Sequence, residues 1–169
     1  WRAITGFNAS ARASRIVLVN QFGFDSKALG NSIPEGVTFN DLRIGTDLEF
    51  GQSIYEPFGI AQLEPLTYGA LCVISDSCGC KAVSAMAADL PATNVIVGDY
   101  SRLPYMVDLH GALATGQRER DEVERNVATT VAQQIAERLP RSDAERATLI
   151  ENGHALAAAL SWENVARKQ

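Results

Sequence analysis

Residues 53–79 read Ser-Ile-Tyr-Glu-Pro-Phe-Gly-Ile-Ala-Gln-Leu-Glu-Pro-Leu-Thr-Tyr-Gly-Ala-Leu-Cys-Val-Ile-Ser-Asp-Ser-Cys-Gly. The apolar run Leu71-Cys72-Val73-Ile74 reads as a strand buried on both faces. Ahead of it, Ile60–Tyr68 reads as a helix, so a loop enters a helix and the helix returns to a buried strand. The first amides of a helix lack partners inside it and carry a partial positive charge. A phosphate or diphosphate at Phe58, Gly59 and Ile60 would therefore be held by backbone alone. Gly59, without a Cβ, leaves the main chain approachable. Two carboxylates, Glu56 in the loop and Glu64 in the helix, stand eight residues apart. A carboxylate accepts two hydrogen bonds and suits a vicinal diol such as that of ribose. A sugar nucleotide offers a sugar, a diphosphate and a ribose. The stretch offers a carboxylate, a row of amides and a second carboxylate.

The plainer account of two such glutamates is a surface helix with an acidic first turn, which stabilises the helix dipole and needs no ligand. For an arbitrary pair at this spacing that account is the stronger. The surrounding string (Ser53, Phe58-Gly59, Leu63-Glu64, Gly69 and the strand after it) moves the balance only through its agreement with the pattern of a family it resembles.

The bulk numbers set bounds. The 169 residues suffice for one domain with a core, and 46% hydrophobic with 21% charged residues is a globular composition. A net charge of −5 without a basic tract gives no electrostatic footprint for nucleic acid. No apolar run approaches the roughly 18 residues of a membrane span, and the first residues lack the apolar core of a signal peptide. A cytoplasmic location is expected. Of the three cysteines, Cys72 falls in the apolar strand as a small core residue, and Cys78 and Cys80 flank one glycine. A zinc site needs more ligands at wider spacing, and a bond across one residue would be strained, so free thiols are expected.

Along the chain, Ile16–Val19, Val37–Phe39, Leu48–Phe50, Leu71–Ser75 and Asn94–Val97 read as strands, with Gly23–Pro34 and Tyr100–Gln117 as loops. Lys81–Ala88 reads as helical. Val123, Val127, Val131, Ile135 and Leu139 recur every four residues and mark an amphipathic helix that Pro140 stops. Ser142-Asp-Ala-Glu145 is a capping box for the next helix, and Ser161 caps a short terminal one carrying Trp162. The expected fold is α/β: a Rossmann-like parallel sheet sandwiched by helices, with a helical C-terminal third. Ligands of such sheets bind beyond the carboxyl ends of the strands.

The stretch at 53–79 resembles the Glu-x7-Glu motif of retaining, nucleotide-sugar-dependent glycosyltransferases with two Rossmann-like domains. The likeness extends to Asp47-Leu48-Glu49-Phe50 and Gln52-Ser53 before the motif, to Asn94–Val97, and to Ser161-Trp162 with Val165-Ala166 near the end. It implies that residues 1–169 are one C-terminal, donor-binding domain of a longer enzyme. It implies transfer of a hexose from a nucleoside diphosphate sugar to an acceptor hydroxyl with retention. Glu56 would be the catalytic-site carboxylate at the donor sugar, Glu64 the ribose ligand, and Phe58, Gly59 and Ile60 the diphosphate cradle. It implies no metal and no cofactor besides the donor. The implied partners are the nucleotide sugar and an N-terminal acceptor domain, with weak self-association through the terminal helix in that domain's absence.

The chain departs from the family pattern in four respects. The Arg and Lys that neutralise the diphosphate have no match among the 55 residues before Glu56. Residues 1–169 hold no counterpart of the acceptor domain that the resemblance implies. Pro65 follows the second glutamate where a small residue is usual, and a proline in a helix interior kinks it. The segment from about Arg102 to Arg138 is also longer than its counterpart. Two rival readings stand beside the transferase: a non-catalytic module that keeps the fold as an interaction surface, favoured by the absent cations, and a sugar-nucleotide epimerase, which resembles the Glu pair less.

Overall fold

The computed structural model describes residues 2–18, 33–51, 56–87, 94–100, 103 and 108–167. The chain divides into two compact units, Trp1–Leu42 and Arg43–Gln169. In the first, helix α1 spans Arg2–Ser10, and the Asn8 side chain clasps the backbone of Ile16, donating to its carbonyl and accepting from its amide at 2.8 Å each. Residues 16–18 form no strand. Ile16, Val17 and Leu18 are 41%, 54% and 42% exposed, so the apolar run expected to be a buried strand is irregular and lies at the surface. Val19 lies outside the described residues.

The second expected strand, Val37–Phe39, is also not one: helix α2 spans Phe39–Ile44. The reason is a local capping box. Thr38 Oγ1 accepts from the Asp41 amide at 3.2 Å, and the Asp41 carboxylate accepts from the Thr38 amide at 2.9 Å and its hydroxyl at 2.6 Å. These bonds also hold the Asp41 carboxyl below its ordinary pKa.

The second unit holds a parallel sheet. Among the described residues its strands are β1 (Leu48–Gly51), β2 (Leu71–Ser75) and β3 (Val95–Gly98), in the order β1-β2-β3, with Leu48 beside Leu71 and Cys72 beside Val95. All five residues of β2 are buried. Alternation sends Leu71 and Val73 to one face and Cys72 and Ile74 to the other. Leu71, Val73 and Ile96 pack with Val127, Val131, Ile135 and Leu149. Cys72, Ile74 and Val95 pack with Leu66, Cys78, Cys80, Val83 and Leu156. Each face of the sheet is thus covered by helices.

The covering helices follow from their sequences. After β1 come α3 (Ile60–Leu63) and a 3-10 turn (Glu64–Tyr68). A second 3-10 turn (Gly79–Lys81) leads into α4 (Ala82–Ala87). Residues 88–93 lie outside the described residues. Helix α5 (Leu109–Ala114) interrupts the segment expected to be irregular, and its start is fixed by Asp108, whose carboxylate accepts from the Gly111 amide at 2.7 Å. Helix α6 (Gln117–Arg138) buries Val123 and Val131 and exposes its charged side. It ends before Pro140, and Arg138 reaches from its last turn to donate to the Val95 carbonyl at 2.8 Å. Partial burial lowers the Arg138 pKa.

Helix α7 (Asp143–Ala159) begins at the expected box: Ser142 accepts from the Glu145 amide at 3.2 Å, and Glu145 accepts from the Arg141 amide at 2.6 Å. Helix α8 (Trp162–Arg167) follows, with Ser161 Oγ accepting from the Asn164 amide at 3.4 Å. Trp162 is 81% exposed.

Helix α7 crosses the Glu64–Tyr68 turn at backbone contact. A Cβ on Gly153 would meet the Leu66 carbonyl oxygen, and one on Gly69, itself at φ 76°, would meet Ile150. His154 Nε2 donates to the Thr67 carbonyl at 2.8 Å beside this crossing. Asn94 is wholly buried there, donating to the carbonyls of Leu149 at 2.9 Å and Ala70 at 3.3 Å. No helix among the described residues is long and apolar enough to cross a membrane.

Candidate functional site

Glu56 stands just past the carboxyl end of the sheet. Beyond β2, Cys78 forms a single parallel bridge with Glu56, and the Gly79 amide donates to the Glu56 carbonyl at 2.8 Å. Gln52 and Ser53 lie outside the described residues. The Glu56 carboxylate turns forward along the chain: its Oε1 accepts from the amides of Phe58 and Gly59 at 3.3 Å each. Two of the three amides assigned to a phosphate are thus engaged by a carboxylate of the same loop. Their preference for negative charge is already expressed within the chain. Phe58 and Ile60 are 74% and 61% exposed, which leaves the outer side of this loop open to solvent.

Gly59 is buried and left-handed, φ 68° and ψ 28°. A Cβ there would meet the sulfurs of both Cys78 and Cys80. The glycine is required by its backbone conformation and by these two sulfurs. The side expected to admit a ligand is filled by them.

Glu64 sits where the α-helix gives way to the 3-10 turn. Pro65 does not kink a continuous helix as its position suggested: it falls in the first turn of the new segment, where its missing amide leaves no bond unmade. The Glu64 side chain is half exposed and accepts from Arg43 Nη1 at 2.5 Å. Arg43 is 12% exposed, and its Nε lies 3.4 Å from Glu49 Oε1. One guanidinium thus joins α2, β1 and the Glu64 position. Burial raises the Glu49 pKa above its ordinary value, and the Arg43 charge opposes that rise. Nothing local in the sequence marks Arg43, which stands 21 residues from Glu64.

The three cysteines are free and buried. Burial pushes the thiols of Cys72 and Cys80 up to about 12, and for Cys80 the hydrogen bond with Cys78 adds to it. Asp76 and Asp99 are half-buried in the connections after β2 and β3, and His110 and His154 are exposed. Among the described residues no group of three or more His, Cys, Asp or Glu is placed to hold a metal ion.

The structure therefore brings Glu56, Phe58 and Gly59 into one hydrogen-bonded loop beyond the strand ends, and ties Glu64 to Arg43. Chemically, the loop presents backbone donors engaged by a carboxylate, with a second carboxylate in the 3-10 turn that follows α3. No protein-family model matches the chain, and no curated protein matches it.

Proposed function

We propose that this chain is the nucleotide-sugar-binding part of a retaining glycosyltransferase, with a Rossmann-like fold. The observation that supports it is the position of the Glu56–Gly59 loop. It follows β1, lies beyond the carboxyl end of a parallel sheet, and opens the short helix that runs into the 3-10 turn carrying the second glutamate. Ligands of parallel sheets bind at that end.

In this proposal the donor diphosphate takes the Phe58 and Gly59 amides in place of the Glu56 carboxylate, which is freed to accept from the donor sugar's hydroxyls. Glu64 keeps Arg43 on one oxygen and offers the other to the ribose diol. The protein's contribution to transfer is to stabilise the charge that develops on the leaving diphosphate.

A second reading has a specific observation in its favour. Both carboxylates already have structural partners, Glu56 in two backbone amides and Glu64 in Arg43. A non-catalytic module could use them so without a ligand.

Thermal denaturation of the chain with UDP-, GDP- and ADP-glucose separates the two. On the transferase reading one base raises the midpoint, by roughly 3–6 °C at about ten times Kd for a chain of this size. Unchanged midpoints with all three sugars at millimolar concentration would contradict it.

A further inference from the structure

Beneath the Glu56 loop lies a pair of thiols that the proposed sugar-nucleotide chemistry does not use. Cys78 Sγ and Cys80 Sγ approach to 2.7 Å, and the two residues are 4% and 5% exposed. Both sulfurs face the missing Cβ of Gly59. Cys78 is bridged to Glu56 through the backbone, and the intervening Gly79 donates to the Glu56 carbonyl. The third thiol, Cys72, is wholly buried within β2.

We propose that Cys78 and Cys80 are a redox-modification site: they close to a reversible disulfide by exchange with a small disulfide of the oxidised-glutathione class, and the bond repositions the Glu56–Gly59 loop. In the reaction one cysteine thiolate attacks the small disulfide, forms a mixed disulfide and expels one thiolate. The second cysteine, as thiolate, attacks the protein sulfur of that mixed disulfide and expels the other. Two electrons pass from the protein dithiol to the small disulfide. The protons lost by Cys78 and Cys80 end on the two small thiols released.

Three features favour this site over an inert core pair. The sulfurs already lie 2.7 Å apart. A bond spanning a single residue is strained, and strained disulfides have higher potentials and reduce readily. The pair therefore stays dithiol in reducing surroundings and closes under oxidising challenge. Finally, the two sulfurs occupy the place a Cβ on Gly59 would take, and Cys78 and Gly79 are tied to the Glu56 backbone, so a change in the 78–80 turn reaches the loop. Burial makes the exchange slow, because the turn must open to admit the small disulfide.

The test equilibrates the folded chain in glutathione buffers from reducing to oxidising, quenches with acid, and alkylates the free thiols after unfolding. In oxidising buffer, two of the three thiols are expected to be lost to alkylation, with a mass decrease of about 2 Da mapped to the 78–80 peptide and recovery in dithiothreitol. Cys72→Ser should retain the bond, and Cys78→Ser or Cys80→Ser should each abolish it. The amide resonances of Glu56 and Gly59 should shift on oxidation along with those of residues 78–80. Three free thiols in a chain that remains folded in oxidising buffer would overturn the proposal. So would a bond that requires Cys72, or a 78–80 bond that leaves the Glu56 and Gly59 resonances in place. None of these readouts uses a nucleotide sugar, so the proposal stands or falls separately from donor binding.

Discussion

At the scale of single residues, Arg43 is the side chain on which the candidate site depends most. It is largely buried and ion-pairs with Glu49, whose pKa burial raises, while it also pairs with Glu64. An acid with a raised folded-state pKa binds more protons when folded than when unfolded. Stability is then lost as pH rises from the unfolded value, about 4.5, through the folded one. Glu49→Gln should flatten the fall in stability above that pH, and urea denaturation of the two proteins across pH 4 to 8 checks it. Arg43→Ala should destabilise by about 1–3 kcal/mol, since it leaves Glu49 half-buried and unpaired. The exposed side of the cluster contributes less, because a half-exposed carboxylate such as Glu64 is screened by water. Denaturation midpoints for Arg43→Ala and Glu64→Gln, compared at pH 7, should therefore differ clearly, with Arg43→Ala the lower.

At the scale of elements, the crossing of α7 over the Glu64–Tyr68 turn rests on two glycines. Gly153→Ala should cost about 2–3 kcal/mol, because the added methyl meets a backbone carbonyl that cannot move aside. Gly6→Ala in α1 is the control: nothing lies within 4 Å of its Cβ position, and in an exposed helix the change should stabilise by roughly 0.5–1 kcal/mol. Similar denaturation curves for the two variants would show that the crossing is not as close as described. Helix α8 should be the opposite case. With Trp162 largely exposed, its amides should exchange with deuterium far faster than those of β2. Equal protection of residues 162–167 and of Leu71–Ser75 in a monomer would refute that.

The same scale shows what the sequence makes legible. The continuous apolar run of β2, the four-residue stripe of α6 and the Ser142 box of α7 each carry their own physical signal, and each forms where that signal puts it. Ile16–Leu18 has the same apolar character as β2, yet burial is decided by what packs on a run, and these residues remain exposed. Val37–Phe39 has strand composition, but the Thr38–Asp41 cap is a stronger local instruction and starts a helix. Asp108 likewise announces α5 within an apparently irregular segment. In the candidate site, Glu56, Glu64 and Gly59 stand out through the family resemblance of the stretch around them. Arg43 and the filling of the Gly59 face by two sulfurs are products of tertiary structure, which no local spacing encodes.

At the scale of the second unit, a three-stranded parallel sheet covered on both faces places its connecting loops at one end, and Glu56 is in such a loop. Under the proposed function, Glu56 and Glu64 serve different parts of one ligand. The direct measurement is calorimetric titration of the wild-type chain, Glu56→Gln and Glu64→Gln with a nucleoside diphosphate and with its sugar conjugate, using the base selected by thermal denaturation. A charge-assisted hydrogen bond to a diol contributes on the order of 1.5–3 kcal/mol. Glu64→Gln should therefore weaken both ligands by roughly 10- to 150-fold. Glu56→Gln should weaken the conjugate and leave the free nucleotide at wild-type affinity or tighter, since the diphosphate no longer displaces a carboxylate from the Phe58 and Gly59 amides. Equal losses for both ligands in both variants, or no loss in either, would contradict the account.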